Sequence, residues 1–323
     1  MTDMRSLIRY RKQEAGFRMA TMTQAQGTPR ITAGERAGIP PRRMDFEFPE
    51  ETTKYWYGDS AFLTTFWVTL SALFPEGEDF FVDSVKNYRK DIKDQKLKDE
   101  VSGFIGQEAL HSKEHEAFND MAEKHGLPAL TLDKELGVLF RLIRKYVPKK
   151  MQLALTVALE HYTAIIAEQL LREDFHQEMF RDREALKLWM WHALEENEHK
   201  TVAYDVYEKV SGSYAIRAGA MIPTTVLFFA VLGVFQARML ASDGRLLNVK
   251  NNWNGIKFLF GRKGLFSKLA PQYLDFFKRD FHPSLHDTDA LLDEWREKLF
   301  GDQGLLTEQH AQASQRKGKK KAH

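Results

Sequence analysis

Two copies of one short pattern, Glu-x-x-His, constrain this chain more than anything else in it: Glu108-Ala-Leu-His111 and Glu196-Asn-Glu-His199. An α-helix turns by about 100° per residue, so positions three apart share a face. Each copy therefore aims a carboxylate and an imidazole at the same neighbour. Each also follows a helical segment with an acidic residue among apolar ones, Glu78 before the first copy and Glu160 before the second. One Glu from each of two helices, with Glu-x-x-His from each of two more, is a layout that holds two metal ions inside a helical bundle. Four carboxylates balance two divalent cations, whereas an unpaired charge in such a core is costly. The predicted ligands, which are also the expected catalytic residues, are Glu78, Glu108, His111, Glu160, Glu196 and His199.

A single Glu-x-x-His in a charged chain reads equally well as a solvated helix face. The surroundings argue against that here. Phe104, Ile105 and Leu110 flank the first copy, Trp189, Trp191, Ala193 and Leu194 flank the second, and the apolar run 154–159 leads into Glu160. Glu76 is the alternative to Glu78, which is preferred because Phe74, Phe81, Val82 and Val85 share or border its face. His192 lies one turn before Glu196 and His115 one turn after His111; each is an added ligand, a group that orients a ligand, or an ordinary interior histidine. His161 is rotated by about 100° from Glu160 and reads as a neighbour. His125 reads as a helix C-terminal residue favoured by the dipole.

The chain has 323 residues and no Cys, so thiolate sites, disulfides and Cys nucleophiles are excluded and any metal is held by oxygen and imidazole. With 47 basic and 45 acidic residues the net charge is +2, which indicates no nucleic-acid partner. Residues 1–50, rich in Arg, Pro, Gly and Thr, predict an irregular arm broken at Pro40-Pro41, and Met1 to Ala20 lack the apolar core of a secretory signal. Helical periodicity then covers Ser60–Asp91 with an interruption near Pro75, Leu97–His125, Leu132–Tyr146, Met151–Phe175 and Arg181–Val210. Strand-like alternation is nearly absent. The expected fold is all-α: a ferritin-like four-helix bundle over residues 51–212, with Leu132–Tyr146 in the long crossover between its two hairpins, and a C-terminal helical extension over 213–300.

At these motifs the chain resembles a family of bacterial proteins called predicted metal-dependent hydrolases, of ferritin-like fold. The matching stretches are Phe104 to His115, Ala158 to Ala164, Trp191 to Lys200 and Phe281-His282-Pro283, within roughly residues 45–300. The spacing of His192, Glu196 and His199 also resembles, locally, that of di-iron arylamine N-oxygenases. Two metal ions support either hydrolysis, by clamping the transition state and activating water, or O₂ chemistry, for which oxygen and imidazole donors suit iron. No Ser nucleophile motif or phosphate-cradling loop is present. Phe62, Phe66, Trp67, Phe74, Trp189 and Trp191 predict an apolar pocket near the ligands, although ordinary core packing explains such rings equally well. The expected function is an O₂-dependent oxidase or oxygenase acting on an apolar or aromatic small molecule, with two metal ions, iron ahead of manganese or zinc. Metal-dependent hydrolysis is the alternative, and iron oxidation without an organic substrate the second.

Residues 218–237 form twenty positions without a charge between Arg217 and Arg238. As a helix they would be about 30 Å long, the thickness of a bilayer core. They predict contact with a membrane, spanning it or lying on it, or else a helix packed on the bundle or in a homodimer. Trp253 to Phe281 mixes aromatic and basic residues as interfacial helices do. The expected location is the cytoplasm, with the inner face of the membrane as the contact. Residues 287–299 predict an amphipathic helix, and 301–323 a disordered tail with Lys317, Lys319, Lys320 and Lys321 near its end.

Overall fold

The computed structural model describes residues 31–49 and 53–321, with side chains placed as far as Arg316. The N-terminal part of the expected arm, residues 1–30, and the side chains of the terminal lysines lie outside the described residues. The described chain is all-helical, with a single isolated bridge, Tyr57 to Phe180, in place of any strand.

A short helix α1 (Ala33–Ala37) is closed by a capping box between Thr32 and Glu35 and ends at Gly38 in a left-handed conformation. Then follow α2 (Ala61–Ser71), α3 (Phe74–Lys86), α4 (Gln95–Lys124), α5 (Ala129–Tyr146), α6 (Lys149–Arg172), α7 (Asp174–Met179), α8 (Arg183–His199) and α9 (Val202–Val210). The C-terminal part comprises α10 (Tyr214–Ser242), α11 (Val249–Phe260), α12 (Leu265–Asp275), α13 (Asp289–Phe300) and α14 (Thr307–Lys321). Ser60, Asp94, Asp182 and Ser213 cap α2, α4, α8 and α10 through their side-chain oxygens.

The four helices that carry the motifs, α3, α4, α6 and α8, surround one interior space. Cross-helix bonds fix their sense. Glu78 and Ser112, then Arg89 and Ser102, pair α3 with α4 antiparallel. His115 with His192 and Gln107 with His199 do the same for α4 and α8. Ser84 meets Thr156 between α3 and α6. Helix α5 lies in the chain between the α3–α4 pair and α6.

Three stretches depart from the sequence reading. The segment 39–48, expected as part of an irregular arm, is irregular but buried: Ile39, Met44 and Phe46 enter the core. It lies against α4 where Gly103 and Gly106 leave room; a Cβ on Gly103 would come within 2.6 Å of the Ile39 carbonyl oxygen. The predicted helix 181–210 is two helices, broken at Lys200 and Thr201 directly after the second motif. The tail expected to be disordered forms α14. Leu306 and Ala313 bury, and Gln309 donates to the Met44 carbonyl, so the helix gains an anchor that its polar composition hides.

Candidate metal centre

All six predicted ligands meet. Glu78, Glu108, His111, Glu160, Glu196 and His199 are each at most 2% exposed and converge between α3, α4, α6 and α8. Donor atoms of Glu78, His111, His192 and Glu196 lie within 4.8 Å of one another, as do those of Glu108, Glu196 and His199. Glu196 belongs to both groups. Glu108 also spans them: its Oε2 is 3.6 Å from His111 Nδ1 and its Oε1 is 3.2 Å from His199 Nε2. Glu160 stands on the second side, 3.7 Å from His199 Nε2. Glu76, the alternative to Glu78, points elsewhere, against Gly137 of α5.

His192 joins the first group, with Nε2 3.0 Å from Glu196 and 4.0 Å from Glu78. His115 does not join either group, and its hydrogen bonds explain why. Asn119 donates from Nδ2 to the Ser71 carbonyl, which leaves its Oδ1 to accept from the Ser71 hydroxyl. Ser71 Oγ therefore accepts from His115 Nδ1 at 2.8 Å. His115 Nε2 then accepts from His192 Nδ1 at 2.6 Å, and the free lone pair of His192 Nε2 faces the site. His115 positions His192 from behind.

The same logic governs the other imidazoles. His111 Nε2 meets Glu195 Oε2 at 3.2 Å and His199 Nδ1 meets Gln107 Oε1 at 2.8 Å. Each acceptor holds the proton on the outer nitrogen and leaves the inner one bare, as metal-bound histidines require. The partners are reciprocal: the residue just before each motif's Glu orients the other motif's His. Sequence reasoning missed Gln107 and Glu195, although a polar residue before each motif was a usable signal. It also missed Arg42. That residue of the buried N-terminal segment donates to Glu195 at 3.0 Å and to both oxygens of Glu198, at 2.7 and 2.8 Å. Gln107 and Arg296 complete the shell of Glu198. Two arginines thus neutralise Glu195 and Glu198.

No such counter-charge serves the inner four carboxylates, whose ion-pair neighbours are the three imidazoles. Burial first, then repulsion from Glu108, pushes Glu78 and Glu160 well up. Burial opposes ionisation of Glu108 and Glu196 too, yet the attraction of their neighbouring imidazoles holds both down. Against burial, the carboxylates of Glu108 and Glu195 raise His111 to about 10, and those of Glu108 and Glu196 push His199 up. The cage favours positive charge at its centre.

The orphaned atoms test whether cations fit. Glu78 Oε1, both oxygens of Glu108 and Glu160, Glu196 Oε2, His111 Nδ1, His192 Nε2 and His199 Nε2 are buried without a hydrogen-bond partner. Removing an unpaired ion from water costs several kcal/mol even after relaxation, which a solvated-face explanation cannot offset four times over. The set of oxygen and imidazole nitrogen donors fits divalent metal ions.

A partly open cavity of about 310 Å³ adjoins the first group, with Glu78, His192 and Glu196 in its wall. The rest of the wall is nearly all apolar, including Trp67, Phe74, Phe81, Leu159, Trp189 and Phe228. Of the six aromatic residues expected there, Trp67, Phe74 and Trp189 line it. Phe62 instead packs on Gly255, Phe66 on Phe266, and Trp191 edge-on to His111. His161 faces away from the centre, bonded to the Gln272 carbonyl, and His125 is a helix C-cap.

A family model described as "predicted metal-dependent hydrolase" matches residues 40–287. No curated protein and no solved structure matches the chain.

Proposed function

The chain belongs to the predicted metal-dependent hydrolase family, and from that premise we propose that it is a dinuclear-metal enzyme, of ferritin-like bundle architecture, acting on an apolar molecule. Glu78, His111 and His192 would hold one ion and Glu160 with His199 the other, with Glu108 and Glu196 shared between them. The observation that carries this reading is the convergence of unpartnered carboxylate and imidazole atoms at the wall of an apolar cavity.

The reaction we assign first is hydrolysis of an apolar ester or amide, following the family's description. Two bound ions would supply Lewis acidity and a water acidified towards neutral pH. The chain's own contribution is placement. Phe74, Phe81, Leu159 and Phe228 bind the apolar body and exclude bulk water, and they leave Glu78, His192 and Glu196 as the polar end towards which a reacting group is directed. Ser112 donates to Glu78 Oε2 at 2.9 Å and so turns Oε1 inward.

O₂-dependent oxidation is the second reading, and the cavity favours it: apart from the cage, its wall offers almost no polar group to stabilise a hydrolytic leaving group. Iron is the metal that reading requires; manganese and zinc suit hydrolysis equally. Metal analysis of the purified protein, followed by activity assays on apolar esters with and without O₂, separates the two. Hydrolysis that persists in anaerobic Zn²⁺- or Mn²⁺-loaded protein supports the first reading. Turnover only with Fe²⁺ and O₂ replaces it with the second. Glu108→Ala and Glu196→Ala should each abolish binding of two ions per chain, and retention of both ions in either variant would contradict the ligand set.

A further inference from the structure

The cavity opens through an apolar surface that has unpaired positive charge along one edge, and we propose that this face docks on an anionic lipid bilayer, from which the apolar substrate enters. Helix α10 supplies one side. Its inner face is fixed lengthwise to the bundle: Met221, Leu232 and Met239 are buried, and the Gln236 amide bonds to the Phe62 carbonyl and Thr65. Its outer face is apolar and bare, with Ile222 60% and Val226 66% exposed. The sequence left spanning and lying on the membrane open; a helix held along its length by α2 and α6 suits lying on it.

Helix α5 supplies the other side through Val138, Leu142 and Tyr146, the last 70% exposed. The cavity mouth lies between the two. Leu227 is at once part of the cavity wall and 42% exposed, and Leu139 and Ile143 of α5 line the same space. Exposed apolar surface of this extent marks a binding face.

Charge identifies the occupant. Arg141, Lys145, Lys149 and Lys150 are exposed around the α5–α6 turn, beside Leu142 and Tyr146; Lys145 lies over the Tyr146 ring, and none of the four forms an ion pair among the described residues. Nearby cations differ: Arg144 pairs with Asp83, and Arg238 with Glu135. Four cations without a carboxylate partner among the described residues, beside an apolar patch, match anionic headgroups next to acyl chains. A second copy of the chain fits less well, because a two-fold contact would bring two such unpaired clusters towards one interface.

The docking stands without the metal centre, whereas entry of substrate rests on the function proposed above. The test is co-sedimentation of the full chain with vesicles of phosphatidylcholine alone or mixed equally with phosphatidylserine. Binding to the mixed vesicles, weakened by salt, is expected. A surface cation contributes about fivefold in binding to an anionic membrane. A variant carrying R141Q, K145Q, K149Q and K150Q should therefore bind several hundred-fold more weakly, with its helical circular dichroism and metal content unchanged. Val226→Asp should weaken binding as well. The proposal is overturned if the wild type stays in the supernatant with both vesicle types, or if both variants sediment like it. Concentration-dependent dimerisation that Val226→Asp abolishes, without vesicle binding, would assign the face to a second copy instead. Metal-free protein should sediment like loaded protein, so a failure of the metal reading leaves a different signature from a failure of docking.

Discussion

Glu195→Gln changes one atom and sets two buried donors against each other. In the native side chain, Oε1 accepts from Arg42 at 3.0 Å and Oε2 from His111 Nε2 at 3.2 Å. An amide has one oxygen. If that oxygen stays with Arg42, the NH₂ group faces His111 Nε2 and drives the imidazole proton to Nδ1, the atom 3.6 Å from both Glu108 and Glu196. The inner nitrogen is then blocked. If the oxygen turns to His111, the NH₂ group opposes the buried guanidinium instead. Either outcome removes a charge-assisted hydrogen bond, a loss of roughly 1.5–3 kcal/mol. Losing the partner that orients a metal-bound histidine lowers metal affinity by about 10- to 100-fold, or ~1.4–2.7 kcal/mol. The effect should fall on one ion of the two, since His199 is oriented separately by Gln107. Competition titration against a chelator, with metal counted per chain, reads this directly. A Glu195→Gln protein that holds both ions with native affinity would refute the reasoning. The double exchange Gln107→Glu with Glu195→Gln should not rescue it, because a carboxylate at 107 would oppose Glu198, which now accepts from the Gln107 amide at 3.0 Å.

Arg42→Ala should destabilise the fold by about 3 kcal/mol, because it leaves buried Glu195 with His111 alone and Glu198 with Arg296 alone; chemical unfolding checks this, and an unchanged midpoint would contradict it. Leu159→Trp, which fills the cavity, should reduce turnover of apolar substrates more than tenfold while both ions still load, a split that assay and metal analysis resolve together. Asp133 is raised to about 6, by burial first and then by Glu76, Glu116 and Asp79. A folded-state value above the ordinary 3.8 means that the folded chain binds this proton more tightly than the unfolded one. Its contribution to stability is thus full below pH 3.8 and lost as the pH rises through about 6. Asp133→Asn keeps an oxygen for the Glu76 amide and should raise the melting temperature at pH 7 but not at pH 4; equal shifts at both would contradict the assignment.

The helices and the convergence of the inner carboxylates and imidazoles were legible because each leaves a local signature. Apolar spacing marked α4 and α6, Pro75 marked the break between α2 and α3, and the three-residue interval placed each Glu with its His. The break after His199 was not legible, since Lys200 and Thr201 are not breakers; Lys200 is held instead by the His286 carbonyl and Thr288, far along the chain. Arg42 lies 153 residues from Glu195, in a Pro-rich stretch whose composition reads as solvent-exposed. Its role depends on two glycines of α4 that admit the segment, a packing fact with no periodicity. His115 and His192 occupy matching positions on adjacent helices, so sequence alone could not say which faces inward. Asn119 and Ser71 decide it by fixing the direction of one hydrogen-bond chain.

The two halves of the centre are alike in origin and unlike in setting. Each motif supplies a Glu that spans both groups, a His, and a preceding polar residue that orients the other His. On that nearly symmetric frame, His192 adds a third imidazole to the Glu78 side only, with His115, Ser71 and Asn119 behind it. The apolar cavity opens on that same side. On the Glu160 side, Phe104 packs edge-on to His199. The small space beside Glu160 holds only about 10 Å³, too little for an organic substrate. Under the proposed function, the cavity would bring a substrate to the side of Glu78, His111 and His192, and an ion on the Glu160 side would act through the shared carboxylates. His192 would give an ion on the Glu78 side one more neutral donor than an ion on the Glu160 side, with no added negative charge. Under the proposed function, this asymmetry, more than the repeated motif, argues for a catalytic arrangement over a metal store.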